Sequence, residues 1–255
     1  MTDGRATDAA VPFLGLPIAH LTLDQTVDAV LAGADAARFS YVVTPNVDHV
    51  VRLDRLQRAG DPLGAAFAAA YADANLVLCD SRILQRLAKL SGIDLPLVPG
   101  SDLTRVLLAD PRMRGRTVAI VGGSETLVAA LRDAAPGIAF TQLRPPMGVL
   151  RDPVAMAAIE AFVAEQCADV VLFAMGAPQS EVAAHRCRQA GRSRGFGLCI
   201  GASLEFIIGE KRRAPLWMQR LGMEWAFRLG SEPRRLWRRY LVEGPRIFAI
   251  WARQR

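Results

Sequence analysis

Several stretches of this 255-residue chain put chemically capable side chains where a strand pattern hands over to a helix pattern. The β-branched run Ser40–Thr44 breaks at Pro45, and Asn46 opens a helical stretch with Val47, Val50, Val51 and Leu53 at helical spacing. Such a Thr-Pro-Asn turn at a strand's carboxyl end is where open α/β sheets place ligands, although the local sequence alone favours Asn46 as the helix cap. The run Asn75–Cys79 ends at Asp80-Ser81 before a helix over Arg82–Leu90. Asp80 is there either an N-cap or a carboxylate exposed in a crevice as a general base, and position alone does not choose. Gly100-Ser101-Asp102 begins a further helix. Thr117–Val121 runs into Gly122-Gly123-Ser124, where glycines can let a phosphate approach backbone N–H groups. The GGS turn is not GxGxxG and has no acidic residue at the right distance, so it is no dinucleotide fingerprint.

The elements that must carry these turns alternate. Strand patterns at Ile138–Leu143, Asp169–Met175 and Phe196–Ile200 are separated by helix patterns over Pro153–Gln166 and Gln179–Ala190. The predicted fold is therefore α/β, a largely parallel sheet covered by helices on both faces. Each strand ends in small or polar residues, among them Gly176-Ala177-Pro178 and Gly201-Ala202-Ser203, so one rim of the sheet can form a polar crevice. Ahead of the core, residues 1–12 read as a disordered lead, and Phe13–Ala19 as a short strand and turn. Thr22 caps an amphipathic helix that runs to Ala32. The core spans residues 13–209 and an appendage residues 210–255.

The appendage differs in composition. From Lys211 to Arg255 it holds twelve of the 31 basic residues, three acidic ones and all four tryptophans, so the net charge of +6 belongs to the tail. Helices are expected over Leu216–Leu229 and Arg234–Val242, with a third segment after Pro245. Arg234/Arg238 and Arg235/Arg239 are i,i+4 pairs that repel unless an anion joins them. Basic, Trp-rich amphipathic helices have the composition of an in-plane membrane binder, and equally of a helical cap with solvated arginines.

Other classes fit less well. Cys79, Cys167, Cys187 and Cys199 make no CxxC pair, and His20, His49 and His185 have no metal-ligand spacing, so no metal site or cofactor is expected. No segment approaches the roughly 18 uninterrupted apolar residues of a membrane span. The opening MTDGRATDAAVPFLG puts acidic residues where a secretory signal needs basic ones, so a cytoplasmic location is expected. The basic tail lacks RRM, KH and helix-turn-helix signatures, which speaks against nucleic acid as partner. A monomer and a homo-oligomer fit these patterns alike.

From about Phe13 to Trp251 the chain resembles the WecG/TagA/CpsF family of bacterial glycosyltransferases. The resemblance is carried by Thr44-Pro-Asn46, the strand end at Asp80, Gly100-Ser101-Asp102, Gly122-Gly123, Gly176-Ala-Pro-Gln179-Ser-Glu181 and Gly201-Ala-Ser-Leu-Glu-Phe206. The most specific part runs from Arg213-Ala-Pro through Gly-x-Glu-Trp-x-x-Arg228-Leu to Glu-Pro-Arg-Arg235-Leu-x-Arg238-Arg-Tyr. It implies a Rossmann-like core with a C-terminal appendage that completes the active site and touches the membrane. It further implies a metal-independent, inverting transfer from a UDP-sugar to a polyprenyl-diphosphate-linked saccharide at the inner membrane face, in surface polysaccharide synthesis. Donors in the family carry N-acetylmannosamine, its uronic acid or glucose. By position, Asp80 matches the general base and Thr44 and Asn46 the pair lining its pocket. Ser101, Asp102, Gly122, Gly123, Gly176, Gln179 and Glu181 fall in the matched substrate-binding motifs. Arg228, Arg235 and Arg238 match arginines that hold the UDP diphosphate. Trp237, Trp251, Arg234 and Arg239 are then left for the anionic membrane surface. Two departures stand out: Cys79-Asp80-Ser81 replaces the family's Pro-Asp-Gly, and Pro178-Gln179-Ser180-Glu181 its Pro-Lys-Gln-Glu.

Overall fold

The structure, a computed structural model, describes residues 10–210 and 212–254. Residues 1–9 of the expected lead, and Lys211 and Arg255 of the tail, lie outside them. The remainder of that lead is paired: β1 (Ala10–Phe13) and β2 (Leu16–Ala19) form an antiparallel hairpin. Leu14 (φ 52°) and Gly15 (φ 75°) turn it, the left-handed pair that a tight two-residue hairpin turn requires. Residues 10–12 of the expected lead are therefore part of the hairpin, with Val11 pairing across it to Ile18.

The next elements are α1 (Leu23–Ala34), β3 (Ser40–Val43), α2 (Val47–Arg58), α3 (Pro62–Ala72), β4 (Leu76–Val77), α4 (Arg82–Leu90) and α5 (Gly100–Ala109). There follow β5 (Thr117–Gly122), α6 (Leu127–Ala134), β6 (Ala139–Leu143), α7 (Pro153–Gln166), β7 (Val170–Ala174), α8 (Gln179–Ala190), β8 (Phe196–Cys199) and α9 (Ser203–Ile207). β3 to β8 form one parallel sheet in the order β4-β3-β8-β7-β5-β6. Alternate residues feed two cores. Tyr41, Val43, Ala119 and Val121 face α2, α3, α7 and α8, whereas Val42, Val118 and Ile120 face α1, α5 and α6. Burial on both faces is why these strands read as nearly continuous apolar runs.

β4 is shorter than the expected Asn75–Cys79 because it is an edge strand, but its chain still tracks β3 to the rim. The Leu78 N–H donates to Val43 O at 2.9 Å and the Asp80 N–H to Pro45 O at 3.2 Å. Asp80 is thereby fixed beside the Thr44-Pro45-Asn46 turn.

The appendage departs from expectation in its breaks. Gly222, at φ +70°, stops the helix expected over Leu216–Leu229 and divides it into α10 (Leu216–Leu221) and α11 (Glu224–Ser231). A left-handed glycine at that position is a common helix terminator. The second expected helix is α12 (Pro233–Trp237), which widens into a π-helical turn over Arg238–Glu243 before α13 (Arg246–Ala252). Ile247 and Ile250 of α13 join the core cluster that contains α2, each stabilising the attachment by roughly 1.5–3 kcal/mol. Leu236 of α12 is also buried, but α11 buries no side chain. Apolar burial thus holds α12 and α13 to the core, whereas none of the described side chains of α10 and α11 is buried. Among the described residues no helix is long and apolar enough to cross a membrane.

Candidate active site

The carboxyl ends of β3, β4, β7 and β8 and the overlying appendage enclose a cleft of about 1230 Å³. Thr44, Asn46, Asp80, Ser101, Gly176 and Glu181 line it from the core, and Glu224, Arg228, Arg235 and Arg239 from the appendage.

Asn46 both caps α2 and lines the cleft. Its Oδ1 accepts from the Asp48 N–H at 3.0 Å, capping α2, and its side chain lies in the same cleft as Asp80, whose pKa it lowers. Asp80 is not the cap of α4; Ser81 is, with Oγ accepting from the Leu84 N–H at 3.4 Å. The Asp80 carboxylate instead accepts at Oδ1 from the Gly100 N–H at 3.1 Å. A Cβ on Gly100 would stand 2.9 Å from Thr44 Oγ1, so the close approach of α5 requires glycine there. Thr44 is itself buried and donates to Cys199 O at 3.1 Å, tying the ends of β3 and β8.

Burial pushes the Asp80 carboxyl up to about 7. The Arg228 guanidinium, the Gly100 N–H and the Asn46 side chain pull it down, and Glu224 pushes it up. Arg228 is steadied from behind, its guanidinium 5.1 Å from the centre of the Phe206 ring. A carboxyl that ionises near neutrality, beside a fixed cation in a cleft, is suited to accept a proton from a hydroxyl.

A second buried carboxyl lies in the cleft wall. Glu181, in the first turn of α8, is 2% exposed, and burial raises it to about 7. Its Oε1 lies 4.0 Å from Nδ1 of His49, which burial holds at about 4 and therefore neutral at pH 7. Nearby, Arg52 donates to Ala177 O at 2.8 Å and pairs with Asp48 at 3.5 Å.

The remaining expected site residues are distributed as follows. Ser101 lines the cleft, but Asp102 accepts from Arg213 at 2.6 Å and is not among the lining residues. Gly122 and Gly123 are also off the cleft wall. A Cβ on Gly122 would meet Ala174 O at 2.9 Å, and Gly123 holds a left-handed φ of 82°, so packing and backbone geometry account for the two glycines. The polar groups of that turn hold Glu210, which accepts from Ser124 Oγ at 2.7 Å and Thr126 Oγ1 at 3.1 Å. Gln179 begins α8 outside the lining, whereas Gly176 (φ 77°) is part of it.

The arginines divide differently from the expected split. Arg239, assigned to the membrane, lines the cleft and lies 3.4 Å from Asp48, whereas Arg238 is exposed outside it. The cause is helical phase: residue 239 lies one turn after Arg235 and shares the side of the buried Leu236, from which 238 is rotated away. Arg235 lines the cleft and is held by Glu232, Nε to Oε2 at 2.5 Å. Trp237 is 48% exposed, and Arg234 is exposed beside it. Trp251 packs on the core cluster with Nε1 donating to Ser91 Oγ at 2.8 Å. Glu224, Arg213 and Arg239 are among the cleft residues that sequence reasoning did not place there. The i,i+4 relation of Arg235 and Arg239 was the available signal for the last. Among the described residues, no three His, Cys, Asp or Glu side chains gather as a metal site.

A family model described as the glycosyl transferase WecG/TagA/CpsF family matches residues 11–255. That match covers the hairpin, the whole sheet and the appendage, including Asp80 and every arginine of the cleft described above. With nearly its whole length matched, the chain belongs to the WecG/TagA/CpsF family of glycosyltransferases.

Proposed function

We propose that this protein is an inverting, metal-independent transferase that moves a sugar from a UDP-sugar to a saccharide linked to a polyprenyl diphosphate. In this reading an acceptor hydroxyl attacks the anomeric carbon of the donor. The new C–O bond forms as the bond from that carbon to the UDP oxygen breaks, and the hydroxyl proton passes to the Asp80 carboxylate. A single in-line displacement inverts the anomeric configuration. The observation that carries the reading is Asp80 itself, a cleft carboxyl raised to about 7 that faces Arg228 across the junction of core and appendage.

The residues divide the work. Asn46 and the Gly100 N–H orient the carboxylate. Arg228, Arg235 and Arg239 supply positive charge where the departing diphosphate gains negative charge, and guanidinium forks suit its oxygens. Arg238, outside the cleft wall, serves the diphosphate only if the π-helical turn shifts on binding. Glu181, Ser101 and Gly176 shape the wall against the sugars. The donor sugar is a hexose, N-acetylmannosamine or its uronic acid.

The exposed tail face supports a peripheral seat at the cytoplasmic side of an anionic membrane, in surface polysaccharide synthesis. Trp237 is 48% exposed, and Arg234 and Arg238 on either side of it in the chain are exposed too. Exposed tryptophan beside exposed arginines binds anionic bilayers in this way. Incubating the purified protein with UDP-sugars and a polyprenyl-diphosphate saccharide tests the reading. Acceptor-dependent UDP release with one of them supports it, and its absence with all of them contradicts it.

A further inference from the structure

The segment that delivers Arg228 and Glu224 to Asp80 is attached unlike the rest of the appendage. α11 buries none of its side chains, and Trp217 and Leu221 of α10 are 58% and 53% exposed. Polar clamps from the core hold the segment at both ends of α10. Ahead of it, Arg213 donates to Asp102 Oδ1 at 2.6 Å, tying the chain to the first turn of α5. Behind it, Arg86 of α4 donates through Nη1 to Leu221 O at 3.0 Å and through Nη2 to Arg220 O at 3.4 Å. Gly222 lies against this guanidinium, where an added Cβ would stand 3.4 Å from Nη1. These carbonyls end α10, so a cation there satisfies orphan acceptors and the helix dipole together.

The clamps share elements with Asp80. α4 begins two residues after Asp80, and α5 supplies the Gly100 N–H that its carboxylate accepts. The geometry points to Arg86 and Asp102 as positioning residues, which set α10–α11 so that Arg228 lines the cleft with Asp80. This inference rests on the transferase reading with Asp80 as base. It departs from the sequence expectation for Asp102, which here grips the appendage and not the substrate.

The groups that face Asp80 are Arg228 and Glu224 from α11, Arg213 ahead of α10, Asn46 and the Gly100 N–H from the core, and the neighbouring Cys79 thiol. Arg228 acts on it more strongly than Glu224, so loosening α11 raises the carboxyl. Arg86 is not among the cleft residues, so its replacement leaves the lining charges unchanged.

The test combines hydrogen exchange with a pH–rate profile on the full chain. Arg86→Ala is expected to speed amide exchange over residues 216–231 about tenfold, leaving the sheet unchanged. It should also raise the acid-limb pKa of kcat by about half a unit and raise KM for the UDP-sugar. Arg86→Lys, which keeps the charge but not the fork, should be intermediate in both. Asp102→Ala should speed the same amides. A uniformly destabilised protein would lose amplitude without moving the pKa. Unchanged exchange over 216–231 in Arg86→Ala and in Asp102→Ala overturns the inference. So does an Arg86→Lys protein whose pH profile is restored while its exchange stays fast, because charge alone would then act. If instead Asp80→Asn turns over normally, the assignment of the base fails, whatever the exchange shows.

Discussion

The backbone N–H of Gly100 donates to Asp80 Oδ1 at 3.1 Å, at the point where the first turn of α5 meets the end of the β4 segment. The contact exists because residue 100 has no side chain; a Cβ there would press on Thr44 Oγ1 at 2.9 Å. Gly100→Ala is therefore expected to push α5 back and disorient the carboxylate. Turnover should fall on the order of 10-fold to 100-fold while the protein remains folded. Steady-state kinetics with a melting curve checks this, and a variant with normal kcat would show that the contact does not orient Asp80.

The pH dependence follows from the same carboxyl. A general base must be ionised, so kcat should rise with pH through about 7, the value to which burial pushes Asp80, and level off above it. Stability should move the other way. The folded-state value lies above the ordinary carboxylate value of 3.8, so the folded protein holds this proton more tightly than the unfolded chain. That contribution is complete below about 4 and is lost as pH rises to about 7. Glu181, also raised to about 7, adds to the loss. Asp80→Asn removes the cost of burying the charge and should raise Tm at pH 8 by a few degrees, at about 2–4 °C per kcal/mol. A variant that melts lower than the parent at pH 8 would contradict the burial account.

The arginines separate by side of the helix. Arg228→Ala and Arg239→Ala are expected to reduce kcat/KM for the UDP-sugar by about 100-fold or more, as loss of a transition-state charge partner does. Arg238→Ala, outside the cleft wall, should cost less than about tenfold. Measuring all three with one donor decides it. An Arg238→Ala protein as impaired as Arg228→Ala would mean that the π-helical turn rearranges to bring residue 238 inward.

Membrane association is assigned to the exposed face of the tail. The double change Trp237→Ser and Arg234→Gln should weaken co-sedimentation with anionic liposomes several-fold, more at low salt, and leave turnover of a short-chain soluble acceptor intact. Trp251→Ser, which breaks the bond to Ser91 and a core contact, should instead lower Tm. Liposome binding that survives the double change moves the membrane surface elsewhere.

How much of this could be read from the chain varies with the physics of each element. The central strands and their helices were legible because burial on both faces leaves apolar runs, and the turns after them marked the rim where Thr44, Asn46, Asp80 and Ser101 meet. The hairpin start at Ala10 was hidden, since pairing of Val11 with Ile18 leaves no local signature beyond the turn. The break at Gly222 and the π-helical turn were hidden too. One rests on a single left-handed residue, the other on register against the core, and the second decides which of Arg238 and Arg239 turns inward. Asn46 shows a different limit. The sequence posed cap and pocket as rivals, whereas the one residue both caps α2 and lines the cleft.

The central claim is that Asp80 takes the acceptor proton, and Asp80→Asn tests it most directly. The asparagine keeps the size and can still accept the Gly100 N–H, but it cannot serve as a base. With a UDP-sugar that the parent turns over, acceptor-dependent UDP release should fall about 1,000-fold or more at pH 8, while calorimetry shows UDP still bound. Release within about tenfold of the parent, at equal UDP affinity, would contradict the claim.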